Sequence, residues 1–292
     1  MNAFTIKDLS NLSGIKAHTL RIWEQRYSFL KPNRSFTNIR YYNNEELRTI
    51  LNIALLNKYG FKISHIDKMS AAEMSQKIML LSQAEARQEK LVNDLVSYMI
   101  SMDMEAFSDS LNIYIEAKGL EKMILDVVFP FLEKTGILWL TNHINPAQEH
   151  LVSNMLRQKL IAGIENCQPV VQSPKKVLLF LPEGEHHELG LLFIHFLLKR
   201  KGVGVIYMGA DLPLEDLVYV TGHKKPDYIY CHLTSLNPNF RFDRFLFNLE
   251  QQFKPTPIII SGKITHSYEK KIRPPVYFKR SLAESMNFVE SL

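Results

Sequence analysis

A chain of 292 residues is too long for one ordinary compact core, and two or three domains are expected. Apolar residues at 46% and charged residues at 22% exclude a disordered chain, and two cysteines without CxxC or zinc spacing exclude a disulfide framework. The net charge of +5 is uneven: residues 1–70 hold eleven Lys and Arg against five Asp and Glu, so the basic end is suited to a polyanion and the rest is near neutral.

The first helix begins at Thr5-Ile6-Lys7-Asp8-Leu9, where Thr5 can cap and Asp8 can close a capping box. Leu12-Ser13-Gly14 then reads as a turn. Ile15, Leu20 and Trp23 form the apolar stripe of a second helix, leaving Lys16, His18, Thr19 and Arg21 on its other faces. Two short helices around a glycine turn make a helix-turn-helix unit. Lys31 to Tyr42 reads as a β-ribbon with basic and aromatic tips, and a third helix follows, capped by Asn44, with Leu47, Ile50, Leu51 and Leu55 facing inward.

Residues 71–83 are read as a connector with some helix. Three helical stripes come next: Leu91, Leu95, Tyr98 and Met99; Leu120, Ile124, Leu125 and Val128; and Leu151, Met155, Leu156 and Leu160. A small helical bundle buries such stripes. From residue 173 the rhythm changes. Apolar runs at 177–181, 205–208, 228–231 and 258–260 alternate with helical patterns near 188–201 and 213–222, which predicts βαβ units on a buried parallel sheet. Ligands on such sheets bind beyond the carboxyl ends of the strands.

DNA recognition needs donors on a helix narrow enough for the major groove, and cations for phosphates. Lys16, His18, Thr19 and Arg21 supply the first, and Arg34, Arg40 and Tyr41 on the ribbon supply the second. In order and spacing, Thr5-Ile6 with Leu9, Gly14-Ile15, Thr19-Leu20-Arg21-Ile22-Trp23-Glu24 and Arg40-Tyr41-Tyr42 resemble the N-terminal domain of MerR regulators over about the first 70 residues. The cysteine cluster that metal-sensing relatives carry after this module is missing.

The loop after the first predicted strand reads Glu185-His186-His187-Glu188-Leu189-Gly190, an E-x-H-x-x-G pattern at the mouth of the sheet. An exposed imidazole there can ligate a metal, a neighbouring carboxylate can orient the ring, and a glycine lets a bulky group approach the helix start. The pattern resembles the cobalamin-binding domain. That resemblance makes His187 the lower ligand of cobalt, with Glu185 and Gly190 beside it. Trp139 and, after nine residues, Glu149-His150 resemble the helical domain of light-responsive MerR repressors of the CarH and LitR type. There the Trp covers the upper adenosyl group, with the acidic residue and His next to it. The position directly after the Trp, where some relatives carry a second histidine ligand, is Leu140; His143 and His150 are the nearest imidazoles in sequence.

The family pattern has Ser-x-Leu after the third strand and Gly-Gly after the fourth, which meet and make room for the nucleotide tail. Here these are Thr234-Ser235-Leu236 and Ser261-Gly262, so Thr234, Ser235 and Gly262 join the candidate cofactor residues with a Cβ at position 261 narrowing the slot. Two readings stay open. The first is a repressor of promoter DNA controlled by adenosylcobalamin, with light as the natural input because the cobalt–carbon bond is photolabile. The second is a cofactor-independent repressor that keeps the cobalamin-domain fold as a regulatory module answering to a protein antagonist.

The expected architecture is a winged helix-turn-helix over 1–75, a helical bundle over 84–168 and a flavodoxin-like, Rossmann-type parallel sheet over 173–292, a multidomain α and α/β chain. Homodimers or tetramers on near-palindromic double-stranded DNA are expected. An enzyme is not, because a cobalamin-dependent mutase or methyltransferase would need a substrate domain that no stretch supplies. The start, Met1-Asn2-Ala3-Phe4-Thr5, has no secretory pattern and no apolar run approaches bilayer length, so a cytoplasmic protein with no membrane partner is expected.

Overall fold

The computed structural model describes residues 4–34, 38–81, 84–140, 144–235 and 240–292, without the side chains of Ile137, Trp139 and Leu140. His143 and Leu236 lie outside the described residues. The chain divides into two compact units, 1–153 and 154–292.

The first unit opens with α1 (Ile6–Ser13) and α2 (Ala17–Arg26). Thr5 and Asp8 close the predicted capping box, with the Thr5 N–H donating to Asp8 at 2.7 Å. Gly14 ends α1 at φ 73°, a left-handed turn that glycine takes without cost, so α2 can set off in a new direction. The ribbon is β1 (Asn33–Arg34) and β2 (Arg40–Tyr41), paired antiparallel with Arg34 opposite Arg40. Phe4 bridges Tyr42, and Phe4, Leu9, Leu20, Trp23, Leu30 and Tyr42 are buried together with the inner face of α3 (Asn44–Lys58). The cap of α3 is Asn43, not Asn44. Its side chain accepts from Glu45 and Glu46 N–H, and Glu46, three residues on, answers its backbone; Asn44 has no acid at the matching offset.

Two short helices follow, α4 (Ile63–Ile66) and α5 (Ala71–Met79). The expected connector is therefore mostly helix, started by a Ser70–Glu73 capping box. The chain continues as α6 (Ala84–Ser101), α7 (Met104–Lys118), α8 (Leu120–Met123), α9 (Phe129–Leu140) and α10 (Pro146–Glu165), with a turn of π-helix at Ile124–Val128, and the boundary between the two units falls within α10. The buried stripe of α10 is Val152, Leu156, Leu160 and Ile164; Leu151, expected to be buried, is 44% exposed. The i, i+4 rule selects Val152 once Leu156 and Leu160 are inside. Helix α3 packs on α6, and Lys58 pairs with Glu89 at 2.6 Å between them.

The second unit is a five-stranded parallel sheet in the order β4-β3-β5-β6-β7, with strands β3 (Lys176–Pro182), β4 (Gly204–Leu212), β5 (Tyr228–His232), β6 (Ile258–Ser261) and β7 (Val276–Lys279). Helices α11 (Leu189–Arg200), α12 (Leu214–Lys224), α13 (Phe242–Gln252), α14 (Ile264–Ser267) and α15 (Leu282–Glu290) connect and end it. β3 is buried along its length after Lys176, as its unbroken apolar run requires of a strand covered on both faces. Helix α14, strand β7 and helix α15 are additions to the sequence reading. No helix among the described residues is long and apolar enough to cross a membrane.

Candidate nucleic-acid interface and cofactor site

Helix α2 buries Leu20 and Trp23, which turns Lys16, His18 and Arg21 outward to exposed positions and leaves Thr19 half-buried. Three of the four expected donors are therefore accessible, spread around the part of the helix that Leu20 and Trp23 leave uncovered. Arg34 is exposed at the ribbon and its guanidinium donates to the Asn38 side chain at 2.7 Å. Arg40 is exposed too, but its Nε donates to Glu24 Oε1 at 2.8 Å, while Glu24 Oε2 accepts from the Tyr42 hydroxyl at 3.0 Å. Tyr41 is half-buried. Glu24 therefore fixes the ribbon to α2, which position and charge in the sequence did not disclose. Burial and the Glu24 carboxylate hold the Tyr42 phenol far above its ordinary range, so it stays a donor.

In the second unit the loop after β3 is held from several sides. Gly184 N–H donates to Asp211 Oδ1 at 2.8 Å, and Asp211 N–H donates back to the Glu185 carbonyl at 3.2 Å. The side chain of Glu185 is 0% exposed. Its Oε1 accepts from His187 N–H at 2.9 Å and lies 2.6 Å from His187 Nδ1; its Oε2 accepts from the backbone N–H of Thr234 at 3.1 Å and of Ser235 at 2.8 Å. Burial pushes the Glu185 carboxyl up, but the bonds from His187 and Ser235 outweigh it, and its pKa is lowered on balance. A charged, buried carboxylate thus aims the His187 ring, whose side chain is 54% exposed. His187 Nδ1 is engaged by the carboxylate, which is the arrangement in which an acid fixes the orientation of an imidazole. Among the described residues no three His, Cys, Asp or Glu gather as a metal-holding group.

Thr234 and Ser235 enter the site through their backbone N–H groups, with exposed side chains. The next residue of the motif, Glu188, accepts from Tyr207 OH at 2.6 Å and from Arg157 at 3.0 Å. Arg157, Glu188 and Tyr207 thus hold the far side of the loop, a set the sequence did not point to. His195 stacks on Tyr207 with ring centroids 4.9 Å apart, and its buried Nδ1 has no hydrogen-bond partner among the described residues.

Gly190 is in the first turn of α11 and Gly262 directly follows β6, and the space beside Gly190 is filled. A Cβ on Gly190 would stand 2.3 Å from His232 Nε2. His232 Nδ1 is 2.8 Å from Ser261 Oγ, which also accepts from Tyr230 OH at 2.8 Å. Gly262 has φ 99°, and a Cβ there would stand 2.2 Å from the Leu233 carbonyl oxygen, so no larger residue fits that turn. The carboxylate-held His187 is a donor that would fit a corrinoid, while His232 fills the space beside Gly190 that such a group would need.

In the first unit Glu149 is half-buried on α10, with Ser153 Oγ 3.5 Å from its carboxylate, and His150 is exposed. Their neighbour Gln148 is buried and donates to the carbonyls of Met99 and Ile100, which fixes the start of α10 on α6. Trp139 lies on α9.

Residues 4–73 match the MerR HTH family of regulatory proteins, and residues 91–162 match the B12 binding domain family. The chain is 28% identical over 281 residues to the HTH-type transcriptional repressor CarA of Myxococcus xanthus, covering 91% of this chain and 89% of that protein. It is 27% identical over 273 residues to the repressor CarH of the same organism, covering 91% of each. A monomethylamine corrinoid protein of Methanosarcina barkeri shares the fold, with a TM-score of 0.54 at 13% identity, over 70% of this chain and all of that one. The chain thus carries a MerR-type helix-turn-helix domain followed by a B12-binding domain, and is homologous along nine-tenths of its length to the CarA and CarH repressors.

Proposed function

We propose that the protein is a sequence-specific transcriptional repressor that binds double-stranded DNA through α2 and the ribbon, and is controlled by adenosylcobalamin. The observation that carries the cofactor half is the buried Glu185 carboxylate holding His187 Nδ1 at 2.6 Å beyond the end of β3. The DNA half rests on the outward face of α2 and on the two repressors it resembles. When bound, the cofactor supplies a cobalt–carbon bond that light can break. For the chain's own residues, His187 is the cobalt ligand and Glu185 orients it. Thr234, Ser235 and Gly262 border the nucleotide tail, and Trp139, Glu149 and His150 are assigned to the adenosyl group. Lys16, His18, Thr19 and Arg21 face base edges, and Arg34, Arg40 and Tyr41 face the backbone. The protein acts by binding and not by turnover, as a homo-oligomer with 1–75, 84–168 and 173–292 as its working parts.

The test is a gel shift of the full chain on DNA upstream of its own gene, with and without adenosylcobalamin, in darkness and in light. Expected are a complex in darkness that cobalamin strengthens and illumination releases, and cobalamin retention that His187→Ala abolishes. DNA binding with no cobalamin uptake would leave the cofactor-independent repressor answering to a protein antagonist; no DNA binding would overturn the regulator reading.

A further inference from the structure

The last residue of β5 occupies the opening beside the candidate cobalt ligand. The His232 ring lies against the backbone of the first turn of α11, where even a methyl group on Gly190 would overlap it, at 2.3 Å from Nε2 and 2.5 Å from Cδ2. On its other edge Nδ1 meets Ser261 Oγ at 2.8 Å. Ser261 is 1% exposed and accepts from Tyr230, so one hydroxyl holds both the Tyr230 phenol and the Nδ1 edge of His232. His232, Ser261 and Tyr230 thus form one hydrogen-bonded unit, buried at Tyr230 and Ser261 and half-buried at His232, between the start of α11 and the end of β6. In a parallel α/β sheet this space, outside the carboxyl ends of the strands, is where a ligand enters.

We infer that His232 is a displaceable plug, latched by Ser261, that a corrinoid with a nucleotide tail must expel and a corrinoid without one need not touch. The inference rests on the cobalamin reading above. Expelling the ring breaks its bond to Ser261 and vacates its contact with Gly190, so the free energy of opening is subtracted from the affinity for the complete cofactor alone. His232 and Ser261 are positioning residues: they set which corrinoid is accepted and do not ligate cobalt.

The full-length protein, His232→Ala and Ser261→Gly are titrated in darkness with adenosylcobalamin and with adenosylcobinamide, which lacks the nucleotide tail, and binding is read by absorbance and equilibrium dialysis. His232→Ala is expected to tighten adenosylcobalamin about tenfold or more and to leave adenosylcobinamide within about twofold, with Ser261→Gly moving the same way to a smaller extent. Ser261→Gly carries the test if His232→Ala fails to fold. Cobinamide binding with no gain for cobalamin, or an equal gain for both corrinoids, overturns the plug and leaves the cobalamin reading standing. Binding of neither corrinoid by any of the three proteins overturns both.

Discussion

Glu185 and Ser235 are joined by a 2.8 Å hydrogen bond from backbone N–H to carboxylate, which ties the loop after β3 to the loop after β5. The same side chain holds Thr234 N–H, His187 N–H and the His187 ring. Removing it leaves three backbone donors without their acceptor. Glu185→Ala is expected to lower unfolding stability by about 3 kcal/mol, since bonds to a charged group are worth roughly 1.5–3 kcal/mol each and the exposed ones recover water. Urea denaturation of the full chain measures it, and a loss under about 1 kcal/mol would mean that the loops do not depend on this carboxylate.

Acid should weaken the α/β unit in two stages. Burial holds His232 down to about 4, against the weaker upward pull of the Glu185 charge, and burial with the Lys199 charge holds His195 down to about 4. An unfolded histidine titrates near about 6.5, so between about pH 6.5 and 4 the unfolded chain binds protons that the folded chain refuses, and stability falls as pH falls. The lowered Glu185 carboxyl acts at still lower pH, contributing above its unfolded value near about 4.3 and losing its contribution as pH drops through its folded value. His195→Phe keeps the ring on Tyr207 and removes the unpartnered Nδ1. It should raise the urea midpoint at neutral pH and flatten the first stage; an unchanged pH profile would show that His195 does not carry it.

Glu24 places a negative charge on α2, the helix proposed to face DNA, yet it holds Arg40 at 2.8 Å and Tyr42 at 3.0 Å. If charge alone mattered, Glu24→Ala would tighten DNA binding. Because the carboxylate sets the ribbon against α2, weaker operator binding by about 1–2 kcal/mol is expected instead. Arg21→Ala should cost about 1–3 kcal/mol on the operator and little on unrelated DNA, and Arg34→Ala should weaken both and flatten the salt slope. Fluorescence anisotropy across a salt series separates the three, and tighter binding by Glu24→Ala would reject the positioning role.

Gly190 is too close to His232 to carry a side chain, by the 2.3 Å separation above. Gly190→Ala should cost about 1–3 kcal/mol of stability through overpacking, and most of the loss should return in the double variant Gly190→Ala with His232→Ala. Additive losses in that cycle would show that the ring does not press on the helix start.

Much of the architecture is written in local chemistry. The Thr5–Asp8 and Ser70–Glu73 boxes, the glycine turn at Gly14 and the apolar run of β3 depend on residues within a turn or a strand of one another, and reading along the chain finds them, although adjacent asparagines at 43 and 44 hid which one caps. Strand β7 was harder because it is four residues long, follows Pro274-Pro275 and leaves Tyr277 45% exposed; only its pairing with β6 makes it a strand. At the candidate site, the residues of the E-x-H-x-x-G motif were legible and their partners were not. Glu185 reaches Ser235, Glu24 reaches Arg40, and His232 comes to rest between Gly190 and Ser261, because parallel strands set side by side bring the ends of distant segments to one edge of the sheet and packing brings the ribbon to α2. The sequence by itself determined which side chains could bind DNA and ligate a metal, since those are properties of residue type and spacing. Only the tertiary structure decided that one histidine is aimed by a buried carboxylate while another fills the adjoining gap, since both outcomes depend on contacts between segments with no local signature.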